Sequence, residues 1–314
     1  MADEPLALFA PGALGTCWHG RYHYFEPWVG CDHDCLYCYA RFRRVVQDAV
    51  GSREFAAARP FLPPDDLLAQ IRSRLAAGDI RILKLSRYTD FFLPRFLADG
   101  LAARVLQVIL ASPVERIIVT TKGVPDRACL DLMAASPRKV SYNVVAKPEG
   151  RLRLEGPAVP PVADRLQAAA WLQGQGIQVT VHLDPLLVGV EDGEADLRRF
   201  LGDLGAAGLR RVMFSYLLVN PAMIAAFRAR LGDTEIDRLL KVFDIGADRQ
   251  YLPAEAETVY FSVEPSQRRA STERVARLLH DGGFAFVLCS LKNRGPEAEV
   301  DRRLCPLCDG TFYA

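Results

Sequence analysis

The segment richest in chemistry runs Gly30-Cys31-Asp32-His33-Asp34-Cys35-Leu36-Tyr37-Cys38. Cys31, Cys35 and Cys38 form a C-x3-C-x2-C run on one short loop, and Gly30 suits the bend that opens it. Three thiolates so placed can each take one iron of a cubane cluster. The fourth iron then lacks a protein ligand, which leaves a coordination position for a cofactor or substrate. Zinc is the competing reading, but it wants a fourth ligand and a paired half-site. His33 lies inside the loop; flanked by Asp32 and Asp34, it reads as part of a solvated tip rather than as that ligand.

A second set, Cys289, Cys305 and Cys308, is spaced C-x15-C-x2-C near the end of the chain. Three readings stand, in this order. An auxiliary iron–sulfur cluster fits thiolate ligation, with Cys17 or a non-cysteine group as fourth ligand. A redox pair or hydrogen-donor thiol comes second. Structural zinc comes third, since C-x2-C is half of a zinc ribbon. An auxiliary cluster would relay electrons, ligate substrate or give up sulfur. Cys129, alone on an apolar stretch, reads as core.

These groups need a scaffold. Strand-like runs rich in β-branched residues occur at Tyr22–Val29, Ile80–Ser86, Arg116–Thr121, Lys139–Val145, Ile177–Leu183 and Arg211–Leu217. Helical patterns fill the gaps: Phe42, Val45, Val46, Ala49 and Val50 share a face, as do Leu68, Ile71 and Leu75 behind Pro63-Pro64-Asp65-Asp66. The stretches 103–110 and Asp164–Gln173 fill later gaps. Alternating strands and helices predict an α/β fold with a parallel sheet, whose ligands gather at the carboxyl ends of the strands. Further on, Ala222–Val242 reads mostly helical, Thr258–Val263 as a strand, Ser271 to His280 as a helix and Phe284–Leu288 as a strand.

The cysteine run with Tyr37 as its aromatic resembles the signature of radical S-adenosylmethionine (SAM) enzymes. Val29-Gly30-Cys31 through Cys38-Tyr39-Ala40-Arg41 is similar, more narrowly, to the subgroup of spore photoproduct lyase and the DNA repair photolyase-like proteins. The resemblance implies an open, partial (β/α)6 TIM-like barrel with a C-terminal α/β extension. It divides the chain into an N-terminal extension (1–20), the barrel (21–221) and the extension with the second cysteine set (222–314). It also implies a 4Fe–4S cluster at Cys31, Cys35 and Cys38, SAM on the open iron, and a reductant such as flavodoxin or ferredoxin. Reductive cleavage of SAM would give a 5′-deoxyadenosyl radical that abstracts hydrogen from substrate.

The resemblance continues at successive strand ends, over roughly residues 20–220. Ser86-Arg87-Tyr88-Thr89-Asp90 resembles the subgroup's Thr-Asp-Pro-Tyr-Gln-Pro segment, so Thr89 or Asp90 would accept from the methionine ammonium. Phe91-Phe92 replace its Pro-Tyr, and helix capping by Asp90 is an alternative. Lys122 would offer a cation to the SAM carboxylate, where the alternative is a solvated lysine. Ser141 and Asn143 alternate onto one face, near the ribose or carboxylate. Pro185 and Gly189 belong to a loop that closes around adenine, with Ser215 and Tyr216 at its border. In spore photoproduct lyase a cysteine donates hydrogen, which is the role the thiol-donor reading gives Cys289, Cys305 or Cys308.

Thirty-nine Lys and Arg against 38 Asp and Glu argue against a sequence-blind DNA binder. No apolar run approaches the ~20 residues of a membrane span. The start of the chain lacks a secretory pattern, and the thiol usage points to a reducing, cytosolic compartment. Arg41, Arg43 and Arg44 are the basic group nearest the cluster, and such arginines are usually solvated. The aromatics near the barrel entrance (Tyr22, Tyr24, Trp28, Tyr39, Tyr88, Phe91, Phe92) suit either base stacking or a dry pocket that shelters a radical. Three functions follow: a radical SAM enzyme acting on a small molecule such as a nucleoside or nucleotide, a DNA photoproduct lyase, or a non-catalytic iron–sulfur redox or sensor protein.

Overall fold

The computed structural model describes residues 5–12, 22–150, 152, 154–245 and 260–289. Its strands are β1 (Phe9–Pro11), β2 (Tyr22–Phe25), β3 (Trp28–Val29), β4 (Arg59–Pro60), β5 (Ile82–Leu85), β6 (Arg116–Thr121), β7 (Val140–Val145), β8 (Gln178–Leu186), β9 (Arg211–Tyr216) and β10 (Ala285–Leu288). The helices are α1 (Arg44–Val50), α2 (Pro64–Ala76), α3 (Pro94–Ala98), α4 (Leu101–Leu110), α5 (Arg127–Ala134), α6 (Val162–Gly174), α7 (Glu194–Ala206), α8 (Pro221–Arg230), α9 (Asp233–Leu240) and α10 (Pro265–Asp281).

The helices start where local chemistry starts them. Pro64 opens α2 with Asp65 and Asp66 in its first turn, favourable at the positive end of the helix dipole. Asp126 caps α5 through the Cys129 N–H at 2.9 Å, and Asn220 caps α8 through the Met223 N–H at 2.8 Å. Cys129 itself is fully buried in the core, as its apolar setting predicts.

One eight-stranded sheet organises the chain, in the order β1-β2-β5-β6-β7-β8-β9-β10. Only β1 pairs antiparallel; every other neighbour is parallel. Among the described residues β1 and β10 are the two edges, so the sheet is an open α/β barrel segment. Four of the expected elements differ in detail. The run Tyr22–Val29 breaks at Glu26-Pro27, because Pro27 has no N–H for the ladder, and Trp28–Val29 turns away to pair with Arg59–Pro60. The parallel sheet does not stop at residue 221, since β10 adds to β9. Ala222–Val242 splits into α8 and α9 at extended Leu231 and Gly232. Of Thr258–Val263, the described part makes only isolated bridges, Val219 to Phe261 and Phe243 to Val263.

The two faces of the sheet differ. Leu83, Leu85, Ile117, Val119, Tyr142, Val144, Val181 and Phe214 join one apolar core with the helices. The residues between them face the other way and lie outside that core; Ile118, Val145, Met213 and Val287 are buried there, beside Ser141, Asn143, Thr180, His182 and Ser215. The sheet is therefore apolar toward its helices and mixed polar and apolar on its inner face.

Candidate active site

The cysteine loop follows the carboxyl end of β2. Gly30 has φ +83°, and a Cβ there would stand 2.6 Å from the Phe55 carbonyl oxygen that the Cys31 N–H uses at 2.8 Å. Only glycine satisfies both the left-handed backbone and that close approach. The Asp34 N–H returns to the Cys31 carbonyl at 3.2 Å, and the Cys38 N–H to that of Cys35 at 3.1 Å. The segment 154–156 braces the loop from outside: the Leu36 N–H donates to the Leu154 carbonyl at 2.8 Å, and Gly156 packs against the His33 carbonyl.

His33 is not at a solvated tip; it is 1% exposed. Its flanking carboxylates are held by arginines, Asp32 by Arg95 at 2.6 Å and Asp34 by Arg41, with Arg230 at 3.7 Å. These clamps turn the imidazole inward, where Nδ1 lies 3.5 Å from the Asp90 carboxylate.

The three thiols are free; Cys31 and Cys35 are buried and Cys38 half-buried. Burial, then Cys38, Asp90 and Cys35, push the Cys31 thiol well up, while the His33 N–H at its sulfur works the other way. Burial also raises the Cys35 thiol, opposed by Lys122 and by the Gly156 N–H. Such thiols release their protons when a metal binds. Among the described residues no three Cys, His, Asp or Glu side chains converge on one ion position.

Charged groups surround Tyr37, the aromatic of the motif. Its ring lies 5.4 Å from Lys122 Nζ and 4.9 Å from Lys147 Nζ, and its hydroxyl donates to Glu155 at 3.3 Å. Glu155 is bound by Arg165 at 2.7 Å, and Lys147 by Glu191 at 2.8 Å. Burial opposes the Lys122 charge, but Cys35, Glu155, Cys38 and Asp90 outweigh it and hold the amine above its ordinary range. Burial likewise opposes the Glu155 charge, yet Arg165 and Lys122 keep that carboxyl below its usual range. Among the described residues Lys122 has no carboxylate at ion-pair distance.

The other expected site residues divide. Thr89 donates its hydroxyl to the Gly30 carbonyl at 2.7 Å and so ties β5's exit loop to the cysteine loop. Asp90 accepts from Thr121 Oγ1 at 2.6 Å, the Lys122 N–H at 2.7 Å and the Phe92 N–H at 3.0 Å. It does not cap a helix, because α3 begins later, behind Leu93. Ser141 and Asn143 share the inner face, as alternation requires. The Pro185 carbonyl accepts from Lys147 Nζ at 3.1 Å, and Gly189, at φ +77°, donates to Asp192 at 2.7 Å. Tyr216 does not border the inner face. Its hydroxyl meets Thr272 of α10 at 2.9 Å, because Ser215, one residue earlier, takes the inward position and bonds Asp184. Cys289 closes β10, half-buried, while Cys17, Cys305 and Cys308 lie outside the described residues.

Two residues the motifs did not reveal stand out. Glu26 is buried and accepts the Arg87 and Tyr88 N–H groups, and burial pushes its carboxyl up to about 8. Lys147 is equally buried; its one signal in the sequence is a lone cation directly after the apolar end of β7.

A half-open parallel sheet with three free thiols on the loop after its first parallel strand is the framework of an iron–sulfur enzyme. The Radical SAM superfamily model matches residues 25–201, more than half of the chain, and the protein belongs to that superfamily. It is accordingly an enzyme whose cofactors are a 4Fe–4S cluster and SAM. Uncharacterized proteins of Mycobacterium bovis and Mycobacterium tuberculosis are 26% identical over 259 residues, covering 80% of this chain and 71% of theirs. Among solved structures, a spore photoproduct lyase mutant superposes with TM-score 0.62 at 14% identity, covering 90% of this chain and 79% of that one. A second, with bound AdoMet and dinucleoside spore photoproduct, gives 0.61 at 16%, covering 84% and 75%. These likenesses concern the fold. Among the described residues no helix is long and apolar enough to cross a membrane.

Proposed function

We propose that the enzyme cleaves SAM reductively and uses the resulting radical to take a hydrogen atom from a small-molecule substrate, of nucleoside or nucleotide type. The cluster and SAM, when bound, supply one electron and a 5′-deoxyadenosyl group. The protein's part is binding and exclusion of water. Lys122 carries the reading: a half-buried cation beside Cys35 and Cys38, with no carboxylate partner among the described residues, suits the SAM carboxylate. Tyr37 and the Pro185–Gly189 loop suit the adenine side, and Thr89, Asp90, Ser141 and Asn143 hold the polar surroundings. Trp28, Phe91 and Phe92, with Trp28 and Phe91 centroids 5.9 Å apart, belong to the apolar core that also takes in Cys31, Cys35 and Tyr37, and that dry support behind the cysteine loop suits a water-excluding centre.

A nucleobase is favoured by the cation–aromatic ladder at the entrance. The Arg87 guanidinium lies 4.9 Å from the Tyr24 ring centroid and 4.7 Å from that of Tyr88, and Tyr88 lies 6.2 Å from Tyr39. The same ladder supports a second reading, a lyase acting on damaged DNA; salt-dependent DNA binding would favour it over the first.

Anaerobic reduction of reconstituted protein with SAM should yield 5′-deoxyadenosine and methionine. Replacing Cys31, Cys35 and Cys38 together with Ala should abolish both products. Retained turnover in that variant, or none in the wild type, would overturn the proposal. Lys122→Ala should weaken SAM binding about tenfold or more, since a charge-assisted hydrogen bond contributes roughly 1.5–3 kcal/mol.

A further inference from the structure

One charged surface beside the cysteine loop takes no part in the site described above. The chain leaves the loop through a single 3-10 turn, Tyr39–Phe42, which starts one residue after Cys38. At about 2 Å per residue that turn spans only about 8 Å. Two helices pack against it, α1 directly after it and α8 from far along the chain. Arg44 of α1 and Arg228 and Arg230 of α8 are exposed; Arg44 and Arg230 have 75% and 61% of their side-chain surface in solvent. Arg230 also lies 3.7 Å from Asp34, which ties α8 to the cysteine loop itself.

The charge there is one-sided. The turn, α1 and α8 carry Arg41, Arg43, Arg44, Arg228 and Arg230, and the carboxylate they carry is Asp48, 3.8 Å from Arg44. Asp34 of the loop is already engaged by Arg41. The whole chain balances to +1, so this excess is local. Acidic residues return in the first turn of α9, at Asp233 and Glu235, and bound the patch. Exposed arginines contribute little to stability, but their summed field steers an approaching partner of opposite sign.

Nucleic acid and acidic protein both have that sign. A duplex binder tracks about 6–10 phosphates with a longer run of cations. A small patch closed off by an acidic helix turn suits a weak, transient redox contact better, and the change of sign at its border orients the partner. Position points the same way. Cleavage of SAM needs an electron from outside, and electron tunnelling falls steeply with distance, so a carrier has to dock where the cysteines come close to the surface.

We infer that the face bearing Arg44, Arg228 and Arg230 is the docking surface for an acidic one-electron carrier protein. The carrier gives up one electron to the cluster and leaves oxidised. This rests on the radical SAM reading above, and it adds where that reaction's electron enters.

The test uses reconstituted holoprotein and an acidic flavodoxin as the probe, with dithionite as a small reductant that needs no docking surface. Oxidation of flavodoxin hydroquinone is followed by stopped flow, and binding by NMR of labelled oxidised flavodoxin. Arg44→Glu/Arg228→Glu should slow electron transfer about tenfold or more at low salt and weaken the binding shifts in parallel, and Arg44→Lys/Arg228→Lys should retain both. About 0.3 M salt should narrow the gap between wild type and the reversed variant. Dithionite-driven formation of 5′-deoxyadenosine should be the same in all three proteins. Equal transfer and binding in the reversed variant overturns the inference, as does a wild type that does not bind flavodoxin at low salt. Equal loss of the dithionite-driven reaction would assign the arginines to the fold of the cysteine loop. Duplex DNA bound by the wild type and released by the reversed variant, with flavodoxin unaffected, would assign the face to nucleic acid; either result overturns the inference. The dithionite reaction of the wild type tests the radical SAM reading alone, so its failure is distinguishable from failure of the surface.

Discussion

Gly156 is the residue whose replacement should most cleanly separate the cysteine loop from the rest of the fold. A Cβ at this position would stand 1.8 Å from the His33 carbonyl oxygen and 2.8 Å from the Asp34 carbonyl carbon. Real Cβ contacts essentially never fall under 3.0 Å, so Gly156→Ala must drive the two segments apart by more than 1 Å. Both contacts are backbone, and no flexible side chain can absorb the movement. Overpacking of this kind costs about 1–3 kcal/mol, and the displaced Gly156 N–H at the Cys35 sulfur adds about 1 kcal/mol. Against a total stability of about 5–15 kcal/mol the variant should still fold, with a melting temperature lower by roughly 10 °C. Chemistry should suffer more than stability, because a misplacement of about 1 Å can cost a hundredfold in rate. Iron and sulfide should be counted after anaerobic reconstitution, with circular dichroism to establish folding and chromatography to quantify 5′-deoxyadenosine. Gly174→Ala is the control: nothing lies within 4 Å of its Cβ at the end of α6, and it should not lower the melting temperature. A Gly156→Ala protein with full iron and wild-type SAM cleavage would refute the idea that the 154–156 segment positions the cysteines.

Three further outcomes are expected. Lys147→Met should cost about 3–5 kcal/mol in urea unfolding, because Glu191 is left buried without its cation, and Lys147→Met/Glu191→Gln should recover most of it; no recovery would mean the lysine acts by packing alone. Burial raises the Glu26 carboxyl to about 8 from an unfolded value near 4.5, so folding takes up a proton between those limits. Stability should be fullest below the lower value and fall as pH rises toward 8, by at most about 1.4 kcal/mol per pH unit, and Glu26→Gln should flatten that slope in unfolding series at pH 5, 6 and 7. If the second cysteine set holds a cluster, the Cys31/Cys35/Cys38→Ala protein should keep about half the iron; an iron-free variant would leave Cys289, Cys305 and Cys308 as thiols or zinc ligands.

Much of the fold could be read from the sequence because its strands are short β-branched runs between amphipathic helices. The β-branched run Arg116–Thr121 and strand β6 share the same bounds. The strand joining β9 from near residue 285 was legible as a strand but not as part of the same sheet, since pairing is a long-range choice that local pattern does not encode. Tyr216 shows how narrow the margin is. Alternation makes one of two adjacent residues face inward, and without the register of β8 on β9, which shifts between Leu183 and Leu186, the choice between Ser215 and Tyr216 was open. His33 reads as solvated in the sequence because its neighbours Asp32 and Asp34 look solvated until Arg95 and Arg41, from distant or turned segments, are brought against them.

The buried charges explain why Lys122 matters more than its neighbours. Around Tyr37 the protein sets Lys147 against Glu191 and Arg165 against Glu155, and each pair sits at ion-pair distance. Asp90 is occupied by the donors of Thr121, Lys122 and Phe92 backbone or side chain. A buried ion pair roughly compensates its own desolvation, so these pairs leave little net charge to act on a ligand. Lys122 is different: its amine is left facing Cys35 and Cys38 with no carboxylate at contact distance among the described residues. Burying such a cation is costly, and Cys35, Glu155, Cys38 and Asp90 already offset that cost across a distance without any carboxylate taking the contact position. Under the proposed function, the SAM carboxylate takes that contact position beside the thiols.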